Sequence, residues 1–177
     1  MKTVFKLSVW MIAWMMLYVF QVQDRTLQRG EGQMYGAAIV AAHDAAVESI
    51  MSQEDGFMTF DPVLGTAAYK KSLAVNVGLD PITLVPNPNT LLREPVKIIG
   101  LFFLGDDKAP KDGAGSPQYP YTFSETATYR GQTILVKETI YGPSVVSVIE
   151  FTHDVMTPIG RPVTYKKATY RYWDRAL

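Results

Sequence analysis

Cysteine is absent from the 177-residue chain, and histidine occurs only twice. The lack of cysteine excludes disulfides, thiolate metal sites and cysteine nucleophiles together. Lysine and arginine number 17, as do aspartate and glutamate, so the net charge is zero and no overall field attracts nucleic acid or anionic substrates. No glycine-rich phosphate loop follows a predicted strand, and no Gly-x-Ser-x-Gly nucleophile elbow occurs. The common nucleotide-binding and hydrolase signatures are therefore missing.

An apolar run over residues 7–22 is the strongest signal that the chain does contain. It carries no charge, and Lys2 and Lys6 precede it. At a rise of about 1.5 Å per residue, roughly 16 to 20 helical residues cross a hydrocarbon core of about 30 Å. The lysines on the N-terminal side predict a cytoplasmic N-terminus and an extracellular C-terminal domain. We therefore expect a single-pass cell-membrane protein whose anchor occupies residues 1–22.

A cleaved signal peptide and a buried core helix are the two other interpretations of this run. The small-x-small motif of a signal-peptidase site is absent, because residues 18–23 (YVFQVQ) are bulky. A core helix is disfavoured because apolar residues surround the whole helix rather than one face. Trp10, Trp14 and Tyr18 recur every four residues and share one helix face, where aromatic rings suit a lipid interface or a partner helix. We expect these three residues to be membrane or partner packing positions.

The helical pattern continues beyond the anchor, over residues 23–55. Apolar residues recur there every three or four positions and predict one buried stripe. Its members are Tyr35, Ile39, Ala42, Ala46 and Ile50. Small side chains let packed elements approach closely, and four alanines form a smooth strip. These are Ala38, Ala41, Ala42 and Ala45. The strip packs either on the chain's own sheet or on a partner helix, and the sequence leaves both open. The anchor and this segment together predict one long amphipathic helix.

The remaining residues, 56–177, predict one extracytoplasmic α+β head. Asp61 is a suitable N-cap, Pro62 occupies the first helical position and Gly78 is a C-terminal cap, so a second helix lies between them. β-prone runs follow at residues 96–104, 121–129, 132–141, 144–152 and 162–173.

The connection between two of these runs predicts how the strands pair. Residues 132–141 and 144–152 flank Gly142-Pro143, so we expect an antiparallel hairpin there. The predicted fold class is α+β, with helices first and an antiparallel sheet of about four strands covered by helices on one face.

Neither histidine stands in a recognisable catalytic or metal site. Each precedes an aspartate, at His43-Asp44 and His153-Asp154. A metal phosphohydrolase site built on such a pair needs further histidines, which the chain lacks. His43 lies on the predicted packing helix and His153 at a strand end, so we expect structural roles for both.

An acidic loop is the other candidate for metal chemistry. Asp106, Asp107 and Asp112 lie in the glycine-bearing segment 105–120, where weak calcium binding is one interpretation. Their spacing does not match an EF-hand, which favours an ordinary solvated loop. We therefore expect no catalytic, cofactor-binding or metal-binding residue, and a protein that is not an enzyme.

The aromatic and basic strand over residues 162–173 is a candidate ligand surface. Lys166, Lys167 and Arg171 alternate there with tyrosine and tryptophan, as on platforms that bind sugars or single-stranded nucleic acid. Tyrosine, tryptophan and threonine are also strong strand formers, and lysines protect an edge strand from mispairing. The second explanation requires no ligand, and we expect no nucleic-acid partner.

The order of these features resembles that of type IV pilin-like proteins: a short basic start, an apolar N-terminal helix that continues outside the membrane, and a small α+β head. More narrowly, the chain is similar to TadE-type minor pilins and related pilus-like envelope proteins of Gram-positive bacteria. The segments that carry the resemblance are 23–25 (QDR), 41–46 (AAHDAA), 61–62 (DP), 76–80 (NVGLD) and 142–146 (GPSVV). The chain differs from the usual prepilin pattern in two ways. Lys6-Leu7-Ser8 replaces the glycine-type cleavage site, and the first acidic residue is Asp24.

The resemblance implies a structural, membrane-anchored component of a surface appendage, a secretion machine or a DNA-uptake machine. Its implied partners are other pilin-like subunits or assembly-platform membrane proteins, with which it forms oligomers without a cofactor. The alternative is a tethered extracytoplasmic module that recognises cell-wall glycan or a peptide through strand 162–173. An anchored hydrolase is the least supported hypothesis.

Overall fold

One uninterrupted helix begins the fold. The computed structural model describes residues 2–49, 57–88, 90, 92–152 and 163–172, and its first helix, α1, spans Lys2–Asp44. At about 1.5 Å per residue, α1 is roughly 65 Å long. The prediction of one long N-terminal helix is confirmed. The predicted end near residue 55 is wrong, because the chain turns back after Asp44 and Ser49 donates a backbone hydrogen bond of 2.8 Å to Thr59.

The buried face of α1 is rotated relative to the predicted stripe. The buried side chains are Met34, Ala37, Ala38, Ala41, Ala42 and Ala45. Tyr35 is exposed and Ile39 is only partly buried, while Ile50 lies outside the described residues. The physical reason is size: alanines allow the neighbouring helix and sheet to approach the α1 backbone, whereas a buried Tyr35 would hold them apart.

The second helix, α2, spans Pro62–Val77 and has the predicted caps. The backbone N–H groups of Val63 and Leu64 donate to Oδ1 of Asp61 at 2.8 and 3.0 Å. Gly78 ends the helix in the left-handed conformation, with φ of +75°, and its N–H donates to the carbonyl of Ala74 at 2.8 Å. This helix packs against the C-terminal half of α1.

Five antiparallel strands follow and form two sheets rather than one. They are β1 (Lys97–Leu104), β2 (Tyr121–Tyr129), β3 (Gln132–Ile140), β4 (Ser144–Thr152) and β5 (Val163–Arg171). The larger sheet has the order β1-β4-β5, and β2 pairs with β3 in the smaller one. The α+β class is confirmed, whereas the single sheet of about four strands is corrected to sheets of three and two.

The predicted hairpin of β3 and β4 is wrong. Strand β3 pairs with β2 along its whole length, through the two-residue connection Arg130-Gly131. Both residues have positive φ, 50° and 74°, which is the requirement of a tight type I′ hairpin turn. Strand β4 instead pairs with β1 and β5, so Gly142-Pro143 connects two different sheets.

Strand β4 is the centre of the head, because it is buried on both faces. Val145, Ile149 and Phe151 belong to the core shared with the helices. Val146 and Val148 belong to the core shared with β2 and β3. The head therefore has three layers: helices, the three-stranded sheet and the β2–β3 hairpin.

Candidate functional site

The predicted membrane residues lie on the N-terminal half of α1, whose large apolar side chains are exposed (the bare half of α1). Trp10, Trp14 and Tyr18 are 76%, 68% and 56% exposed, and the rings of Trp14 and Tyr18 stack with centroids 6.0 Å apart. Within the described residues, α1 is the one helix long and apolar enough to cross a membrane, and its most apolar window contains no buried residue. Such a helix near the N-terminus weakly indicates a membrane anchor, and the exposed aromatic face fits that reading.

The predicted alanine strip lies inside the head. Ala38, Ala41, Ala42 and Ala45 each have 0% exposure and belong to the core formed with α2 and the larger sheet. Of the two interpretations left open by the sequence, the structure gives packing on the chain's own elements. A partner helix has no access to these four residues in this fold, since burial on the chain's own core already covers them.

An exposed small-residue face of α1 lies beside the alanine strip. A Cβ atom added to Gly32 or to Gly36 would meet no other atom within 4 Å. Tyr35 and Val40 nearby are each 45% exposed. The spacing of the two glycines is that of the small-xxx-small motif by which helix backbones approach one another.

A groove lies beside α1 over residues 18–27. Its volume is about 700 Å³. One wall is α1 from Tyr18 to Leu27, and the other is formed by residues of the segment between α2 and β1, including Val85, Pro86 and Arg93. A second cavity of about 660 Å³ continues along α1 past Gly30 and Gly36, and shares Asn87, Thr90 and Leu92 with the first.

The groove changes character along its length. Tyr18, Val19 and Val22 contribute an apolar end that is continuous with the bare half of α1. Gln23 and Thr26 follow at the polar end, and Arg93 is the sole charged residue among the described ones that line it. Sequence reasoning missed this groove because its two walls are about sixty residues apart in the chain.

The structure gives His43 and Asp44 a local, structural arrangement. Nδ1 of His43 lies 3.0 Å from Oδ1 of Asp44, and the His43 ring meets Tyr170 edge-on at 4.7 Å. A hydrogen bond from Ser72, followed by the interaction with His43, lowers the pKa of Asp44, against the raising effect of burial. His153 and Asp154 lie outside the described residues.

A buried carboxylate on β4 holds the two sheets together. Glu150 is 2% exposed, and its Oε1 lies 3.3 Å from Nη2 of Arg130 and 3.6 Å from Nζ of Lys97. Hydrogen bonding to Glu150 is the main cause that raises the pKa of Tyr165. Because two cations and a phenol surround this carboxylate, it joins β1, β4, β5 and the β2–β3 turn electrostatically and is not a free general base.

The acidic loop uses its carboxylates to fix its own backbone. Asp106 accepts hydrogen bonds from the Met58 N–H at 2.7 Å and from the Tyr119 hydroxyl at 2.8 Å. Asp112 accepts from the N–H groups of Ala114 and Ser116 at 2.9 and 2.8 Å. In the described part of the chain, no group of three or more histidine, aspartate or glutamate side chains is placed to hold a metal ion.

The aromatic and basic strand β5 has most of its described polar side chains committed to the fold. Lys166 pairs with Glu31 of α1 at 2.7 Å, and Lys167 pairs with Glu138 of β3. The Tyr172 hydroxyl donates to Glu48. Trp173 lies outside the described residues. These contacts tie β5 to its neighbours and leave little of it as a flat aromatic platform.

Comparison of the chain with protein-family models, with curated proteins and with solved structures gives no match. The assignment of function therefore depends on the physical character of the long helix, the groove and the head.

Proposed function

We propose that this protein is a membrane-anchored, pilin-like structural component of a surface appendage, secretion or DNA-uptake machine. The observation that carries the proposal is the division of α1 into two halves. The N-terminal half exposes large apolar side chains on every side, and the C-terminal half is a core element of an α+β head. A single rigid helix that is apolar outside the head and packed within it is the arrangement that anchors a head domain beside other membrane helices.

The exposure of the first half argues for a nonaqueous surrounding. Twelve consecutive positions from Val9 to Phe20 contain eleven large apolar side chains that are each at least 48% exposed. Burial of one such side chain is worth about 1.5–3 kcal/mol relative to water, so this surface is costly in solution and stable in lipid or against other helices. In this proposal the two N-terminal lysines face the cytoplasm and the head lies outside the cell.

The proposal also places a partner-facing surface on the extended half of α1. Ala38, Ala41, Ala42 and Ala45 are covered by the head, which leaves the face with Gly32 and Gly36 for a neighbouring subunit's helix. Helices that meet at glycines approach closely enough for backbone van der Waals contact.

Cysteine crosslinking in native membranes tests this surface, since the chain has no cysteine of its own. We expect Gly32→Cys and Gly36→Cys to form crosslinked species on oxidation. Leu135→Cys is the matched control, because Leu135 is 62% exposed on the outer hairpin and distant from α1 in the layer order. Equal crosslinking at all three positions, or none at either glycine, contradicts a specific helix contact at this face.

Topology is tested separately. An epitope tag placed at the C-terminus is expected to be digested when protease is added to intact protoplasts. A tag that stays protected until the protoplasts are lysed would contradict the proposed orientation, whatever the result of the crosslinking.

A further inference from the structure

Helix α2 has apolar residues on two faces, and the fold covers only one of them. The buried face contains Tyr69, Leu73 and Ala74, which pack in the head core. Outside this face, Leu64 is 57% exposed and Val75 is 75% exposed. A helix that is apolar on all sides is normally surrounded by other elements. The outer face of α2 therefore has the composition of a packing surface, and no described element of the chain covers it.

The outer face of α2 has the residue spacing of a coiled-coil seam. Four residues that lie four, three and four positions apart form one line along a helix. They are Leu64, Ala68, Lys71 and Val75, here called the α2 seam. Three of them are exposed, and Ala68 is partly buried. The small side chain of Ala68 lets a second helix approach the α2 backbone closely.

The α2 seam carries one charge, and the opposite charge lies beside it. Lys71 is exposed, and none of the hydrogen bonds or ion pairs of the described residues involves it. The side chain of Asp44, at the end of α1, is 45% exposed. Asp44 lines one cavity of about 350 Å³ together with Ala68, Lys71 and Val75. The cation and the carboxylate therefore lie at about the same height along the two helices.

From this arrangement we infer that the α2 seam binds the α2 seam of a second copy of the chain, in a twofold pair whose axis runs parallel to α1. The inference rests on the membrane anchoring proposed above. Two copies anchored in one bilayer keep their α1 helices parallel and hold equivalent residues at equal height. Leu64 and Val75 then pack against their equivalents in the other copy, and Lys71 of each copy binds Asp44 of the other.

The charges favour a second copy over an unrelated partner. A parallel pair of seams brings two lysines together, which is unfavourable without a countercharge. Each copy supplies that countercharge at the right height through its own Asp44. This carboxylate contacts His43 and Ser72, but a carboxylate has about four acceptor sites, so it can accept from a further donor. A single lysine in an apolar seam also fixes the register of a helix pair.

Energy transfer between copies in vesicles tests the inference. The full-length chain carries Leu135→Cys, labelled with a donor or an acceptor dye, in vesicles of phosphatidylcholine and phosphatidylglycerol. Leu135 is 62% exposed on the outer hairpin and lies outside the α2 seam. Transfer efficiency measured against the protein-to-lipid ratio gives the dissociation constant of the pair in the membrane.

Substitutions in the seam should weaken the pair without unfolding the head, because Lys71 and Val75 are exposed. We expect Lys71→Glu and Val75→Glu each to raise the dissociation constant at least tenfold, since each places an unpaired carboxylate in the seam. Lys70→Glu is the matched control. It makes the same change of charge about 100° around the helix from Lys71 and should alter the constant less than twofold. Equal effects at positions 70 and 71 show general charge repulsion and overturn the inference.

A double-mutant cycle tests the ion pair between copies. We expect Lys71→Gln and Asp44→Asn each to weaken the pair. The chain with both substitutions should be no weaker than the more affected single variant, because either change alone already removes the contact. Effects that multiply in the double variant show that the two side chains do not meet, and they overturn the contact.

The remaining outcomes separate the inference from the proposed function. Association that Lys71→Glu and Val75→Glu both leave unchanged overturns the α2 seam as the interface, while the proposed contact at Gly32 and Gly36 stands. Energy transfer no greater than that of randomly distributed chains overturns the second copy as the occupant, and flotation of the labelled chain with the vesicles then keeps the anchor. A chain that stays in the aqueous fraction instead overturns the anchoring itself.

Discussion

Replacing Gly65 by alanine tests how closely α2 packs against α1. Gly65 lies in the first turns of α2, and a Cβ atom there would lie 2.5 Å from the carbonyl oxygen of Ala45 at the end of α1. It would also lie 2.5 Å from Cε1 of Phe103 in β1. The Phe103 ring is packed in the core and has little room to move aside. The Ala45 carbonyl belongs to the backbone of α1, so α1 and α2 must separate to accommodate the new methyl group.

Two opposing effects determine the magnitude. Alanine in place of a helical glycine contributes about 1 kcal/mol in favour of folding. An added methyl group in a packed core costs typically 1–3 kcal/mol, and contact with backbone places this site at the upper end. We expect Gly65→Ala to destabilise the chain by about 1–2 kcal/mol. Gly36→Ala, whose Cβ meets nothing within 4 Å, should instead stabilise it by about 1 kcal/mol.

Thermal unfolding of the full-length protein in detergent, followed by circular dichroism, measures both variants. In a domain of this size 1 kcal/mol shifts Tm by about 2–4 °C, so the two glycine variants should differ by about 4–12 °C with opposite signs. Equal shifts, or a Gly65→Ala protein at least as stable as the parent, would refute the described contact of α2 with α1. The same apolar N-terminal segment is present in both variants, so the effects of detergent on it cancel in the comparison.

Three further changes test other contacts. Ala42→Leu should lower stability by about 1–3 kcal/mol in chemical denaturation, because Ala42 is fully buried in the head. Glu31→Gln should lower the free energy of unfolding by less than about 1 kcal/mol, because it removes a partly exposed ion pair of 2.7 Å with Lys166. An equal loss in low and high salt would show that the ion pair contributes nothing. A double-mutant cycle with Lys166→Ala measures the coupling between the two side chains. The pKa of Asp44 is lowered from 3.8, chiefly by Ser72, so its stabilising effect is complete above about pH 4 and is lost as the pH falls through the lowered value. Ser72→Ala should therefore flatten the fall in Tm between about pH 4 and pH 2, and an unchanged slope would contradict that cause.

Local signals predicted the elements of this fold well. Asp61, Pro62 and Gly78 delimit α2 because capping depends on side chains within a few residues of the helix end. The predicted runs 121–129 and 144–152 coincide with β2 and β4, because β-branched and aromatic residues concentrate in them and turn residues bound them.

Strand pairing and the groove depended on contacts between distant residues. Gly142-Pro143 has the composition of a hairpin turn, but β4 is a central strand that pairs at both edges. Its edge neighbours, β1 and β5, come from opposite ends of the head sequence. Its two faces are covered by the helices and by the β2–β3 hairpin. Arg130-Gly131, a genuine two-residue turn, was missed because arginine is not a usual residue at positive φ. The groove joins α1 to the segment before β1, a pairing that periodicity within either segment does not specify.

Because α1 is one continuous helix, the head and its apolar stem move together as a rigid lever. From Val22 to Asp44 the helix rises about 33 Å without a joint. A change of about 20° in the tilt of the stem, comparable to the average tilt of spanning helices, displaces the far end of the lever sideways by about 11 Å. A force on the head is likewise transmitted directly to the apolar stem, because Ala38 and Ala45 fix the C-terminal part of α1 inside the head core. In the proposed membrane arrangement, the tilt of the apolar stem and the position of the head are therefore coupled through one stiff helix.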